Sequence, residues 1–165
     1  MFGLAVAMSA MLFSFSCTKK QPADNGEMSA EFKPVNDTVT KLNATKRPIQ
    51  GIKYLDSAYH HISNPSLGDR AHYYGYHFMY SKRELRNTKL ELAYADSIMI
   101  IAEKISNLKS YVSNIANANF AKGDAYFDLN QYTTAYRYYY KGYILGRNYL
   151  DNGLLAEYTY RMGMV

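Results

Sequence analysis

The stretch Asn119–Gly146 constrains the chain more than any other. Two helical patterns flank a short polar break at Asn130-Gln131. In the first, Gly123 stands three residues before Tyr126. In the second, Tyr132 is followed by Ala135, Tyr139 and Gly142, at spacings of three, four and three. Small residues at helical spacing let two backbones approach closely, and aromatics beside them fill the space left over. The pattern predicts a helix–turn–helix unit with an aromatic–small interface.

A unit of this kind predicts copies of itself. At an offset of about forty residues, Gly123 falls on Gly163, Ala116 on Ala156 and Phe120 on Tyr160. In the other direction Ala135 falls on Ala95 and Gly142 on Ala102. One step further back, Tyr54, Asp56 and Ser57 fall on Tyr94, Asp96 and Ser97. The middle copy has Arg83 where a small residue is due, and the first has Leu55 and Ile62 at its small places.

Gly123, Tyr126, Tyr132, Ala135, Tyr139 and Gly142 resemble the signature of a tetratricopeptide repeat (TPR). Asn119 stands where that family often has tryptophan, Lys122 where it often has leucine, and Arg147 where a closing proline is common. The resemblance runs over residues 48 to 165 and is strongest after residue 90. It implies an all-α fold, a helix–turn–helix solenoid of about 40-residue repeats with an incomplete last repeat. It also implies a concave groove lined by the first helix of each unit. Asn117, Phe120, Asp124 and Phe127 would point into it, joined by Tyr160 of the next unit. The family's lysine–asparagine clamp for a carboxylate terminus is not carried over, because Asp124 stands at the asparagine place.

Helical spacing recurs elsewhere. Pro48 suits a first helical turn, and Ile52, Leu55, Tyr59 and Ile62 follow at helical intervals. Asn64-Pro65-Ser66 ends that helix, and Asp69 is the expected cap of the next, through Tyr73, Tyr76 and Tyr80. Breaks fall at Asn87-Thr88, Ser106-Asn107 and Asp151-Asn152-Gly153. Leu92, Ala95, Met99 and Ala102 mark one helix, and Val112, Ile115, Ala118 and Ala121 the next. No segment shows sustained strand alternation.

Residues 1–16 carry an uncharged apolar run too short to span a bilayer, which needs about 20 residues, and of signal-peptide length. With Ser16-Cys17 and Lys19-Lys20 after it, the run resembles a bacterial lipoprotein signal. That resemblance implies a lipid on Cys17 and a location in the cell envelope, periplasmic or outer-membrane. Ser14 and Phe15 depart from it, and no basic residue precedes the run. The other reading is a buried free cysteine in an N-terminal helix. Cys17 is the only cysteine, so the chain forms no internal disulfide. Residues 17–47 hold few and unperiodic apolar residues and read as a flexible tether, with one short helix over Thr38–Ala44 as an option.

Chemistry is sparse. The net charge of +5 is scattered, with basic doublets only at Lys19-Lys20, Lys46-Arg47 and Lys82-Arg83, so no nucleic-acid face is expected. His60 and His61 are adjacent and His72 and His77 are five apart, so neither pair faces one metal ion well. No catalytic motif and no phosphate-cradling glycine loop is legible, and no cofactor or enzymatic activity is expected. The 18 tyrosines carry most of the aromatic content, and core packing is the first reading of each. Tyr139 belongs to the core by the repeat pattern, with Tyr136 or Tyr143 beside it.

The combined reading is an exported, lipid-anchored repeat protein that binds a protein or peptide. It looks like the extracytoplasmic sensory region of Bacteroidetes-type regulators. The alternative is a helical-repeat lipoprotein that binds carbohydrate in nutrient uptake. At the C-terminus, residues 154–165 repeat the pattern of 114–125, and the sequence stops before a second helix. The expectation is a longer natural protein or a truncated product. Leu154, Leu155, Tyr158, Met162 and Val165 would then form an apolar edge, prone to self-association or to docking of a further helix.

Overall fold

The computed structural model describes residues 24–165. The apolar run 2–16 and Cys17 lie outside them. Seven α-helices follow in order: α1 (Phe32–Ala44), α2 (Pro48–Tyr59), α3 (Leu67–Tyr80), α4 (Thr88–Ala102), α5 (Leu108–Asp128), α6 (Tyr132–Gly146) and α7 (Asn152–Gly163). A π-helical turn, Ser81–Leu85, extends α3. No strand occurs among the described residues.

Polar side chains start these helices where the sequence breaks. Asn87, Asn107 and Asp151 each accept a hydrogen bond from the backbone N–H three residues on, at 3.2, 2.9 and 3.0 Å. Helix α3 opens on a capping box. The Ser66 hydroxyl takes the Asp69 N–H and the Asp69 carboxylate takes the Ser66 N–H, both at 3.0 Å. Ser66 is therefore the cap, and Asp69 sits three positions in. The α5–α6 break ends in a left-handed Asn130 at φ 58°.

The expected tether is not what residues 24–47 form. Phe32, Val35 and Val39 make a narrow stripe on α1, and all three are buried with Leu55 of α2. Met28, Ile52, Tyr59, Tyr73 and Tyr76 pack around them. Upstream, the chain is strapped across the start of α3. Asp24 accepts from the Leu67 N–H at 2.6 Å, Ser29 N–H donates to Asp69 at 2.8 Å, and the Ser66 hydroxyl donates to the Glu27 carbonyl at 2.8 Å. Gly68 is needed there, because a Cβ would run into the Glu27 backbone. Three apolar residues spaced along a polar segment suffice for a helix when a groove receives them.

Each helix packs against its neighbours in sequence, and the odd-numbered helices also touch one another. Between α1 and α3, the Tyr76 hydroxyl meets Asn36 and Thr40, both at 2.8 Å. Between α3 and α5, Phe78 and Ala121 share a core cluster with Ala95. Between α5 and α7, the Phe120 and Tyr158 rings lie edge to face at 4.4 Å. Helix α5 is central and accordingly rich in small buried residues: Ala116, Ala118, Ala121, Gly123 and Ala125. A Cβ at Gly123 would collide with the Tyr139 ring, and one at Gly142 with Tyr158 and the Ala116 carbonyl. The two glycines thus fix how closely α6 approaches α5 and α7 approaches α6.

Ala135→Leu and Gly142→Leu should each cost about 1–3 kcal/mol, by overpacking a filled interface. Phe32→Ala should cost about 3–5 kcal/mol, because α1 is part of the core. Lys53→Ala, on the exposed face of α2, should stay within about 0.5 kcal/mol. Denaturant melts of the four variants check this; an unchanged midpoint for Phe32→Ala would return α1 to the tether.

Candidate functional site

Asp124 sits near the end of α5, only 7% exposed. Its Oδ1 accepts the Tyr139 hydroxyl at 2.7 Å, and its Oδ2 meets Lys82 Nζ of the π-turn at 2.5 Å. Arg161 of α7 stands 3.8 Å from Oδ1. Lys82 reaches on to Asp128 at 3.7 Å, and Arg161 is oriented by Glu157 one turn earlier, at 3.0 Å. One carboxylate therefore ties the π-turn, α6 and α7 to α5. Burial pushes the Tyr139 hydroxyl pKa up, and its bond to Asp124 pushes it further. The phenol is locked as a donor. Burial also raises Tyr158, and the Asp124 charge adds to this. The Tyr158 hydroxyl donates to the Ala116 carbonyl.

Glu91 of α4 is 2% exposed, and its Oε2 has no hydrogen-bond partner. Burial holds its carboxyl above the ordinary value of 4.5; the nearby Lys82 opposes this, while Asp128 and Asp124 add to it.

The residues expected to line a groove divide into two groups. Phe120 and Asp124 come together around Tyr139, with Phe120 half-buried between Tyr139 at 5.4 Å and Tyr158 at 4.4 Å. Both are engaged in packing rather than open to a partner. Phe127 is half-buried, with its edge toward Tyr132 at 5.4 Å. Asn117 is exposed on α5, and Tyr160 is 65% exposed on α7. In the sequence Lys82 is only half of a basic doublet, and Glu91 and Arg161 carry no motif. The forty-residue offset pairs Asp124 with Glu84 and Met164 rather than with Lys82 and Arg161, so the repeat register does not mark them.

The open surface is aromatic. On α6, Tyr139 is fully buried, Tyr143 is half-buried, and Tyr136 and Tyr140 are exposed and stacked at 6.1 Å. Of Tyr136 and Tyr143, the latter lies nearer the core. The histidines serve local structure. His60, His61 and His72 each bond a carbonyl one turn back, at 2.6, 2.6 and 2.9 Å, and His77 meets Asp56 of α2 at 2.8 Å. Among the described residues no three His, Cys, Asp or Glu side chains converge on a metal position, and no helix is long and apolar enough to cross a membrane.

Glu91 generates a pH prediction. A carboxyl whose folded pKa is raised costs nothing below its unfolded value, and its penalty grows as pH rises through the folded one. Glu91→Gln should therefore raise the melting temperature at pH 7, with the gain shrinking as pH falls toward 4.5. Melts at several pH values check this. A gain that does not depend on pH would mean that the buried charge is not its cause.

No family model matches this chain, and neither a curated protein nor a solved structure matches it significantly.

Proposed function

We propose that residues 24–165 form a TPR-like array that presents a surface to a protein or peptide partner, held at a membrane of the cell envelope by a lipid on Cys17. The observation that carries the array is the sequence separation of the ties between odd helices and the segments that adjoin them, the strap before α1 and the π-turn after α3. Ser29–Asp69 and Asn36–Tyr76 span 40 residues, and Lys82–Asp124 and Ala116–Tyr158 span 42. A two-helix unit repeated about every forty residues brings first helices together at that interval. The even helices support the same reading. Asp56 and Asp96 lie one period apart, and each bonds the following odd helix, through His77 at 2.8 Å and Lys122 at 2.6 Å.

The last helix supports an interaction role. Gly123 is filled by Tyr139, whereas nothing approaches the place of a Cβ at Gly163, its counterpart on α7. Leu154 and Tyr160 on α7, and Met164 and Val165 just after it, are exposed. Exposed apolar groups on the outermost helix of an array are where a further helix or a partner docks. In this reading the chain is the sensory part of a signal-transduction regulator, and α7 is its contact face.

A photo-crosslinking amino acid at Tyr160 or Asn117, with Lys53 as control, tests the reading in the cell envelope fraction. Discrete adducts are expected from positions 160 and 117 and none from 53, and Cys17→Ala should release the chain from the membrane. No adduct, or the same ladder from all three positions, would remove the binding surface. Unchanged membrane attachment of Cys17→Ala would remove the lipid anchor alone.

A further inference from the structure

A cavity of about 330 Å³ lies where the end of α1, the start of α2 and the junction of α3 with the π-turn meet. Its volume is within the range of small-ligand sites, about 300–1,000 Å³. Val39, Ile52 and Met79 supply apolar lining. Tyr76 lines it too, and its hydroxyl is already engaged by Asn36 and Thr40, so it offers the ring. Lys46 and Arg83 bring two positive charges against the single acid Glu84. Neither cation has an ion-pair partner among the described residues.

The backbone under both cations is unusual. Lys46 occupies the left-handed position that closes α1, at φ 57°. Its N–H bonds the Asn43 carbonyl at 3.1 Å, and the Arg47 N–H bonds that of Leu42 at 2.9 Å. Glycine is the residue this geometry favours, and a lysine stands there instead. Arg83 sits inside the π-turn Ser81–Leu85, which ends in a left-handed Arg86 at φ 48°. Such turns are rare and recur at functional sites.

We propose that this cavity binds a small amphipathic anion: an aromatic or aliphatic body against Val39, Ile52, Met79 and Tyr76, with a carboxylate between Lys46 and Arg83. A carboxylate is the complement of a guanidinium and an ammonium that no acid among the described residues pairs. The site lies at the α1–α3 end and shares the π-turn with Lys82, the partner of Asp124, but uses neither of those two residues, and it stands whether or not the chain is an interaction scaffold.

The test is an NMR titration of the ¹⁵N-labelled full chain with 4-phenylbutyrate, and with 4-phenylbutyramide as its neutral counterpart. Saturable shifts confined to the amides around residues 39–52 and 76–84 are expected for the acid, and at least about tenfold weaker binding for the amide. Arg83→Ala should weaken the acid by about tenfold. Lys46→Gly should weaken it too while leaving the melting temperature equal or higher, because glycine relieves the left-handed backbone. That variant separates loss of the charge from loss of the fold. No saturable shift up to about 10 mM, equal affinity for acid and amide, or full affinity in both variants would overturn the site.

Discussion

The Asp124 carboxylate is the interaction on which the second half of the molecule depends. It lies nearly buried on α5 against three other elements, and each supplies one group. Tyr139 donates a hydrogen bond at 2.7 Å, Lys82 brings its ammonium to 2.5 Å, and Arg161 stands at 3.8 Å. A buried carboxylate is costly unless its oxygens are satisfied, and removing one member of a buried pair costs about 3–5 kcal/mol. The burden is heightened by Glu91, a second buried acid close to the same lysine. One cation therefore serves several acids, and the π-turn that carries Lys82 is held against α5 for that purpose. Such an arrangement fixes the mutual register of its helices more strictly than apolar contact does, because only one alignment satisfies all the groups.

Apolar packing supplies the complementary constraint. Gly123 admits the Tyr139 ring, and that ring carries the hydroxyl that reaches Asp124. Gly142 admits Tyr158, whose hydroxyl reaches the Ala116 carbonyl. Each glycine–tyrosine pair joins close helix approach to a specific polar tie. Residues at helical spacing on α5 and α6 thereby connect sequence pattern to helix order. The same logic recurs at the other end of the molecule, where Tyr76 packs its ring under α1 and engages Asn36 and Thr40.

Those pairs also explain which parts of the fold were legible. The helix breaks at Asn87, Asn107 and Asp151 could be read because capping is a local act of one side chain on the next three residues. An aromatic–small interface between α5 and α6 could be read because spacing within two adjacent helices encodes it, while its pairing of Gly123 with Tyr139 needs the fold. Helix α1 could not, because its stripe of Phe32, Val35 and Val39 gains stability only from α2 and α3, which a local window does not see. The TPR resemblance makes Asp124 a groove residue. Whether its face of the helix is open depends on Lys82 and Arg161, far away in sequence on either side. Arg83 drew notice as a misfit in the repeat, and it proves to sit in a π-turn, where an extra residue shifts helical phase.

If the Asp124 knot holds the second half together, its loss should be felt across four elements and no further. Amide hydrogen exchange of Asp124→Ala against the unaltered chain measures this most directly. The account predicts faster exchange together in the π-turn, the end of α5, α6 and α7, with α1 and α2 keeping their protection. Faster exchange confined to the last turn of α5, or spread evenly from α1 to α7, would contradict it.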